Sequence, residues 1–302
     1  MTERPGTAVE IQAGDQRAVV DGVGGGLSAY SVGGRELVDG YPPGAPSMSG
    51  RGQVLIPWPN RIEDGAYEFD GRSHQLLLTE PERRNAIHGL VREEPWRVAD
   101  VETTRVVMEH VLQPRPGYPF TLSLSVEYTL SEGGLRVRTT ATNVGADPCP
   151  FGSGQHPYLK LGTPVVDSLV LRAPGRTVLV EDERGIPRGR EPVEGTAFYF
   201  RRPREIGATA LDDAFTDLER GEDGCARVEL RDPASRAGVT LWLDENYRYV
   251  QLFTGDPLPD VRRRSLAVEP MTCPANAFRT GEDLVRLEPG KSCASAWGIV
   301  PG

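Results

Sequence analysis

Between Phe120 and Val144 the chain alternates apolar and polar residues. Leu122, Leu124, Val126, Tyr128 and Leu130 take one parity, and Thr121, Ser123, Ser125, Glu127 and Thr129 take the other. A period of two sends successive side chains to opposite faces, so this stretch predicts a long strand with one buried face. Ser131-Glu132-Gly133-Gly134 then supplies a turn, and the alternation resumes through Leu135, Val137 and Thr139. The pattern is that of a β-hairpin.

Shorter apolar stretches repeat the theme. Ala18 to Val20, Val54 to Ile56, Arg105 to Val111, Val228 to Leu230, Val239 to Leu243, Tyr249 to Phe253, Ser265 to Val268 and Ala294 to Val300 read as strands. The 35 Gly and 26 Pro residues are spread along the chain, which suits many short strands joined by turns. Apolar residues at helical spacing never persist beyond two turns, and Asn276 to Val285 allows one short turn of helix. With no repeat and no low-complexity break, residues 1–302 are expected to form a single all-β domain, a large antiparallel β-sandwich.

Composition narrows the class. A net charge of −9 argues against a nucleic-acid partner, which would need concentrated Lys and Arg. The basic runs Arg83-Arg84, Arg201-Arg202 and Arg262-Arg263-Arg264 are expected on solvated loops, the alternative being a pocket for a phosphorylated or acidic sugar. Cys149, Cys225, Cys273 and Cys293 form no C-x-x-C pair and have no histidine at zinc spacing, so free thiols in a reducing cytoplasm are expected. Met1 to Gly6 lacks the charged and apolar regions of a signal peptide, and no apolar run is long enough to cross a bilayer. A cytoplasmic protein with no membrane association is therefore expected. Charge leaves monomer and homodimer open.

Five polar positions stand where a purely structural residue would be surprising. Arg61 follows Pro57-Trp58-Pro59-Asn60, a rigid loop that presents a guanidinium beside an indole and so suits the hydroxyls and apolar face of a sugar. His88 precedes Gly89, which lets backbone approach a ligand closely. His156 lies in Gly152-Ser153-Gly154-Gln155-His156-Pro157-Tyr158, and imidazole is the side chain best suited to exchange protons near neutral pH. Asp212 and Asp213 precede a short strand, and either is a candidate. Glu269 closes the apolar run Ser265-Leu266-Ala267-Val268, before a proline expected to end pairing; a carboxylate there is costly unless paired or functional. His74 and His110 are expected at the surface. A metal site is not expected, because the remaining histidines and carboxylates lack ligand spacing. The glycines Gly22-Val23-Gly24-Gly25-Gly26 lack a following helix, so no dinucleotide cofactor is signalled.

Taken together, these motifs resemble the aldose 1-epimerase (galactose mutarotase-like) family. The resemblance runs in order from Pro57-Trp58-Pro59-Asn60-Arg61-Ile62, with the hairpin Gly65 to Gly71 after it, through Ile87-His88-Gly89, Gln155-His156-Pro157-Tyr158-Leu159 and Leu211-Asp212-Asp213-Ala214-Phe215 to Leu266-Ala267-Val268-Glu269-Pro270. It implies a β-supersandwich, no cofactor and a small-molecule sugar as partner. It also implies Glu269 as general base at the anomeric hydroxyl, His156 as general acid at the ring oxygen, and Arg61, His88 and Asp212 as sugar ligands. Gly152, Gln155 and Lys160 stand where galactose mutarotases carry asparagines, which leaves the sugar open. Two other functions remain on the same fold: a hexose-6-phosphate 1-epimerase, for which Arg262-Arg263-Arg264 would have to reach the pocket, and a non-catalytic carbohydrate-binding module.

Overall fold

The computed structural model describes residues 7–42, 45–259 and 261–302, so the reading of Met1 to Gly6 lies outside it. Two large antiparallel sheets carry the architecture. One has nine strands, in the spatial order Arg97–Glu102, Arg105–Leu112, Leu122–Ser131, Gly134–Asn143, Ser292–Pro301, Gly238–Leu243, Ala226–Arg231, Val170–Arg172 and Arg204–Glu205. The other has eight strands. Pro187–Pro192, Thr177–Glu181, Asp212–Thr216, Tyr249–Phe253, Leu266–Met271, Gly154–Gln155 and Val54–Leu55 follow one another, and Tyr158–Leu159 also pairs with Leu266–Met271. A four-stranded sheet over Val9–Ala13, Gln16–Val20, Leu27–Val32 and Arg35–Glu36 packs beside them. The expected antiparallel sandwich is the fold.

The central hairpin forms as its alternation dictates. Leu122 pairs with Asn143 and Ser131 with Gly134, with Leu122, Leu124, Val126, Tyr128 and Leu130 all buried. Gly134 closes the turn at φ 111°, and a Cβ there would lie 2.1 Å from Ile299 O, so only glycine fits. Val137, Leu241, Trp297 and Ile299 extend the same apolar face across neighbouring strands and join Val250, Leu252 and Val268 of the second sheet in one core. Each such side chain contributes about 1.5–3 kcal/mol when fully buried. The helical turn allowed after Asn276 is Ala277–Thr280.

The basic runs lie on loops as expected, with Arg84, Arg202, Arg262 and Arg264 exposed. Several are also paired, Arg84 with Asp64, Arg201 with Glu219 and Arg264 with the buried Asp39. Two expectations are corrected. Arg263 is itself buried and held by Asp167 and Asp256. His74 and His110 are half-buried, with the His74 ring stacked on Tyr67 at 4.8 Å and His110 5.4 Å from Trp96. The four cysteines are free, as expected. Among the described residues no helix is long and apolar enough to cross a membrane.

Candidate active site

The Leu266–Met271 strand sits in the interior of the eight-stranded sheet, and Glu269 lies within it rather than at its end. Pro270 does not stop the pairing: it stands opposite Val250 on one side, and the strand continues to Met271. On the other side Gly154 pairs with Met271 and Tyr158 with Ala267, a register that places His156 directly across from Glu269. Val268 N donates to Pro157 O and Thr272 N to Ser153 O. Bonding alternates along an antiparallel ladder, so the intervening donor would be residue 270, which as proline has none. Pro157, on the facing strand, likewise lacks the donor that would answer Val268. The His156–Glu269 pair is thus bracketed by two deleted rungs, in the narrow kind of cross-strand position where side chains stand closest.

The same register lines up two rows of side chains on one face. His156, Glu269, Gln251 and Ala214 form the first; Tyr158, Ala267, Phe253 and Asp212 form the second. The two alanines keep the floor low. Above it opens a cleft of about 380 Å³ whose lining includes Arg61, His88, His156, Asp212, Gln251 and Glu269. All five site residues singled out from the sequence therefore meet in one cleft. Asp213 points the other way, opposite Leu252, where burial pushes its carboxyl up to about 6, and Asp212 is the aspartate that faces the cleft.

Glu269 Oε1 lies 3.3 Å from His156 Nε2, and the two residues are only 3% and 5% exposed. Glu269 Oε2 and His156 Nδ1 are buried without a hydrogen-bond partner among the described residues, which is unusual for polar atoms in a folded chain. Burial raises the Glu269 carboxyl well above the usual range, and the nearby Asp212 carboxylate adds to it against the opposing Arg61. Burial likewise pushes His156 down to about 3, helped by Arg51 and Arg92. Burial thus disfavours the charged form of each group, and the two directions together favour a protonated carboxyl facing a neutral imidazole.

The surroundings fix this pair in place. The His156 ring stacks on Tyr158 at 4.9 Å, nearly parallel, and Arg51 covers the outer face of Tyr158 at 4.4 Å. Gly50, at φ 76°, passes so close that a Cβ would come within 2.6 Å of the imidazole. His88 joins from the neighbouring loop: Asn60 N donates to His88 Nδ1 at 3.2 Å, and His88 N donates to Asn60 O at 2.9 Å. With Nδ1 accepting, the ring proton of neutral His88 resides on Nε2. Arg61 is held by a two-pronged ion pair to Glu80, at 2.8 and 3.0 Å, so its charge is balanced before any ligand arrives. Gln251 accepts from Asn60 Nδ2 at 3.3 Å and donates to Asp212 Oδ1 at 3.0 Å, a relay across the floor.

Gln251 and Glu181 were missed in the sequence. Gln251 is the one polar residue of Tyr249-Val250-Gln251-Leu252-Phe253, the same signal that exposed Glu269. Glu181 ends the strand beside Asp212 and leaves Oε1 buried and unpartnered. Trp58 belongs to the core, packed edge-on against Phe278 at 5.5 Å. A metal was not expected from spacing, yet ligand atoms of His88, His156 and Glu269 lie within 4.8 Å of one another and could hold an ion. Such an ion would occupy the atoms that otherwise exchange protons.

Fold and site together define an antiparallel β-sandwich protein with a buried carboxyl–imidazole pair at the floor of a polar cleft. A profile of the aldose 1-epimerase family matches residues 7–298, and the chain belongs to that family. It is 35% identical to the Escherichia coli protein YihR over 95% of this chain and 90% of the other. It is 32% identical to human galactose mutarotase over 68% of this chain, spanning 62% of that protein. Among solved structures, the GalM/aldose epimerase homologue from Caenorhabditis elegans superposes with a TM-score of 0.87 at 17% identity, over 98% of this chain and 99% of the other.

Proposed function

We propose that the protein is an aldose 1-epimerase, interconverting the α and β anomers of a free aldose by opening and reclosing its ring. The observation that carries this reading is the His156–Glu269 pair, 3.3 Å apart and buried at the cleft floor. Ring opening removes a proton from the anomeric hydroxyl and delivers one to the ring oxygen. A carboxylate facing an imidazolium supplies both. Glu269 takes the hydroxyl proton as the C1–O5 bond breaks, and His156 gives its proton to O5.

The products of that step on the protein are a protonated Glu269 and a neutral His156, the state that burial favours. The resting enzyme is therefore matched to the open-chain sugar. A cyclic sugar is opened once the Glu269 proton has crossed the short contact to His156. Rotation about C1–C2 presents the other face of the aldehyde, and reversal of both transfers closes the ring as the other anomer. His88 Nε2–H donates to a sugar hydroxyl, Asp212 and Gln251 accept and donate across the floor, and Arg61 steadies negative charge developing on oxygen.

A phosphorylated substrate is the second reading, and its basis has moved. The Arg262-Arg263-Arg264 run does not line the cleft and is paired elsewhere. Arg92 does line it, and among the described residues its guanidinium donates to Gln53 Oε1 at 3.3 Å and Ile87 O at 3.4 Å. Polarimetry of freshly dissolved α-D-glucose, α-D-galactose, L-arabinose and D-xylose tests the main reading, with glucose 6-phosphate as the comparison. Acceleration should fall by about 10²–10⁴-fold in Glu269→Gln and in His156→Ala while the β-sheet circular dichroism is unchanged. Wild-type rates in Glu269→Gln would remove the base assignment. Acceleration confined to the phosphorylated sugar would favour the second reading.

A further inference from the structure

A second cavity lies behind the catalytic strands, not in front of them. It encloses about 610 Å³ between the two large sheets. Side chains alternate along a strand, so Gln155, next to His156, points away from the cleft and into this interlayer space, where its Nε2 donates to Thr139 Oγ1 at 3.1 Å. Thr139, Ala141, Cys293 and Ser295 line the cavity from the nine-stranded sheet, and Ser153 and Thr272 line it from the strands that carry His156 and Glu269.

The chemistry of this space is unlike that of a core. Thr139, Ser153 and Ser295 are 3%, 2% and 5% exposed, so their hydroxyls are buried in a region otherwise filled by apolar side chains. Behind the lining, Gln155 Oε1 is buried without a partner among the described residues, and the Tyr247 hydroxyl lies against Ser295 and Thr139. An open volume lined by the hydroxyl residues Thr139, Ser153, Thr272 and Ser295 suits an occupant that donates and accepts hydrogen bonds. The deep lining is uncharged. Its mouth carries Glu245 and Asp283, and Arg248 there is already paired with Asp283. An anion would meet carboxylates on entry. Phe151, Leu284 and Val285 add an apolar wall.

We propose that this interlayer cavity is a second ligand site, taking a neutral polyhydroxylated molecule of the size of a monosaccharide or polyol. It is distinct from the cleft and does not depend on what reaction the cleft performs. It also touches the catalytic strands from beneath. Ser153 N donates to Thr272 Oγ1 and Thr272 N to Ser153 O, both at 2.9 Å, three residues before His156 and three after Glu269.

Cys293 lines this cavity, whereas the half-exposed Cys225 lies outside it and serves as an internal reference. The wild-type protein is alkylated with N-ethylmaleimide at mildly alkaline pH, with increasing 1,5-anhydro-D-glucitol, and modification of each cysteine is followed by peptide mass spectrometry. Saturable protection of Cys293 with Cys225 unaffected is expected. Ser295→Ala should raise the protection midpoint about 2–10-fold, the value of one neutral hydrogen bond, and Arg61→Ala in the cleft should leave it in place. Three results overturn the proposal. Cys293 that never reacts means a closed cavity, and Cys293 that reacts without protection up to the solubility of the probe means one filled by water alone. Protection lost in Arg61→Ala but unchanged in Ser295→Ala places the probe in the cleft.

Discussion

Replacing Glu181 by glutamine should stabilise this protein, and only above mildly acidic pH. Glu181 ends the Thr177–Glu181 strand beside Asp212, and burial, with Asp212 second, raises its carboxyl from the usual 4.5 to about 8. A group whose pKa is higher folded than unfolded helps folding fully at low pH, and that help is lost as pH rises from about 4.5 through about 8. At about pH 7 the unfolded chain has released this proton and the folded chain still holds it. The gap between 4.5 and 7, at about 1.4 kcal/mol per pH unit, puts the cost to the wild type at about 3 kcal/mol. Glutamine has the same shape and no proton to retain. Urea or thermal unfolding should therefore show Glu181→Gln more stable by about 3 kcal/mol, or about 5 °C in Tm, at about pH 7. At about pH 4 the two proteins should be nearly equal. A glutamine variant no more stable at neutral pH, or stabilised equally at both, would refute the argument that Glu181 is a buried, proton-holding carboxyl.

Other expectations follow from the same geometry. Catalysis requires one proton on the His156–Glu269 pair, and the second is added only near the depressed His156 value of about 3. The enzyme-dependent kcat/KM should thus not fall as pH drops through about 6.5, where a free imidazole gains its proton. An acid limb there would contradict a buried neutral His156, whereas a fall on the alkaline side reports the raised Glu269 carboxyl. Gly50→Ala should cut kcat by about tenfold or more, because its Cβ would sit 2.6 Å from the His156 ring; unchanged kinetics would show the imidazole free to move. Micromolar zinc should inhibit competitively with sugar and be reversed by chelator, since His88, His156 and Glu269 converge within 4.8 Å; the test is inhibition kinetics, and indifference to zinc would mean the three cannot close on an ion.

The hairpin from Leu122 to Asn143 was legible because its information is local: a period of two and a turn that needs glycine. Glu269 was legible as a carboxylate in an apolar strand, although the strand does not end at Pro270 as the proline suggested. What no local pattern carried is register. That His156 stands across from Glu269 depends on pairing between segments more than a hundred residues apart, and so do the Arg61–Glu80 clamp's position over the cleft and the convergence of three ligand atoms that spacing alone had argued against. Gln251 shows the reverse case. Its signal lies in a buried strand, but a neutral amide costs far less to bury than a charge and so marks a site less sharply. The interlayer cavity was invisible for a plainer reason: empty volume has no residue of its own.

A sheet ordinarily offers unclaimed backbone only at its rims, and its interior is closed to chemistry by its own bonding. Pro157 and Pro270 make an exception inside, each leaving one carbonyl across the ladder without the donor that an ordinary residue would bring. The result is a short rim at the centre of a broad surface, with all the mechanical support of the middle and some of the freedom of the border. Any residue with an N–H at position 270 could stitch that opening shut. Rigidity and access, usually traded against each other along a protein surface, are reconciled here by two rings that cannot donate.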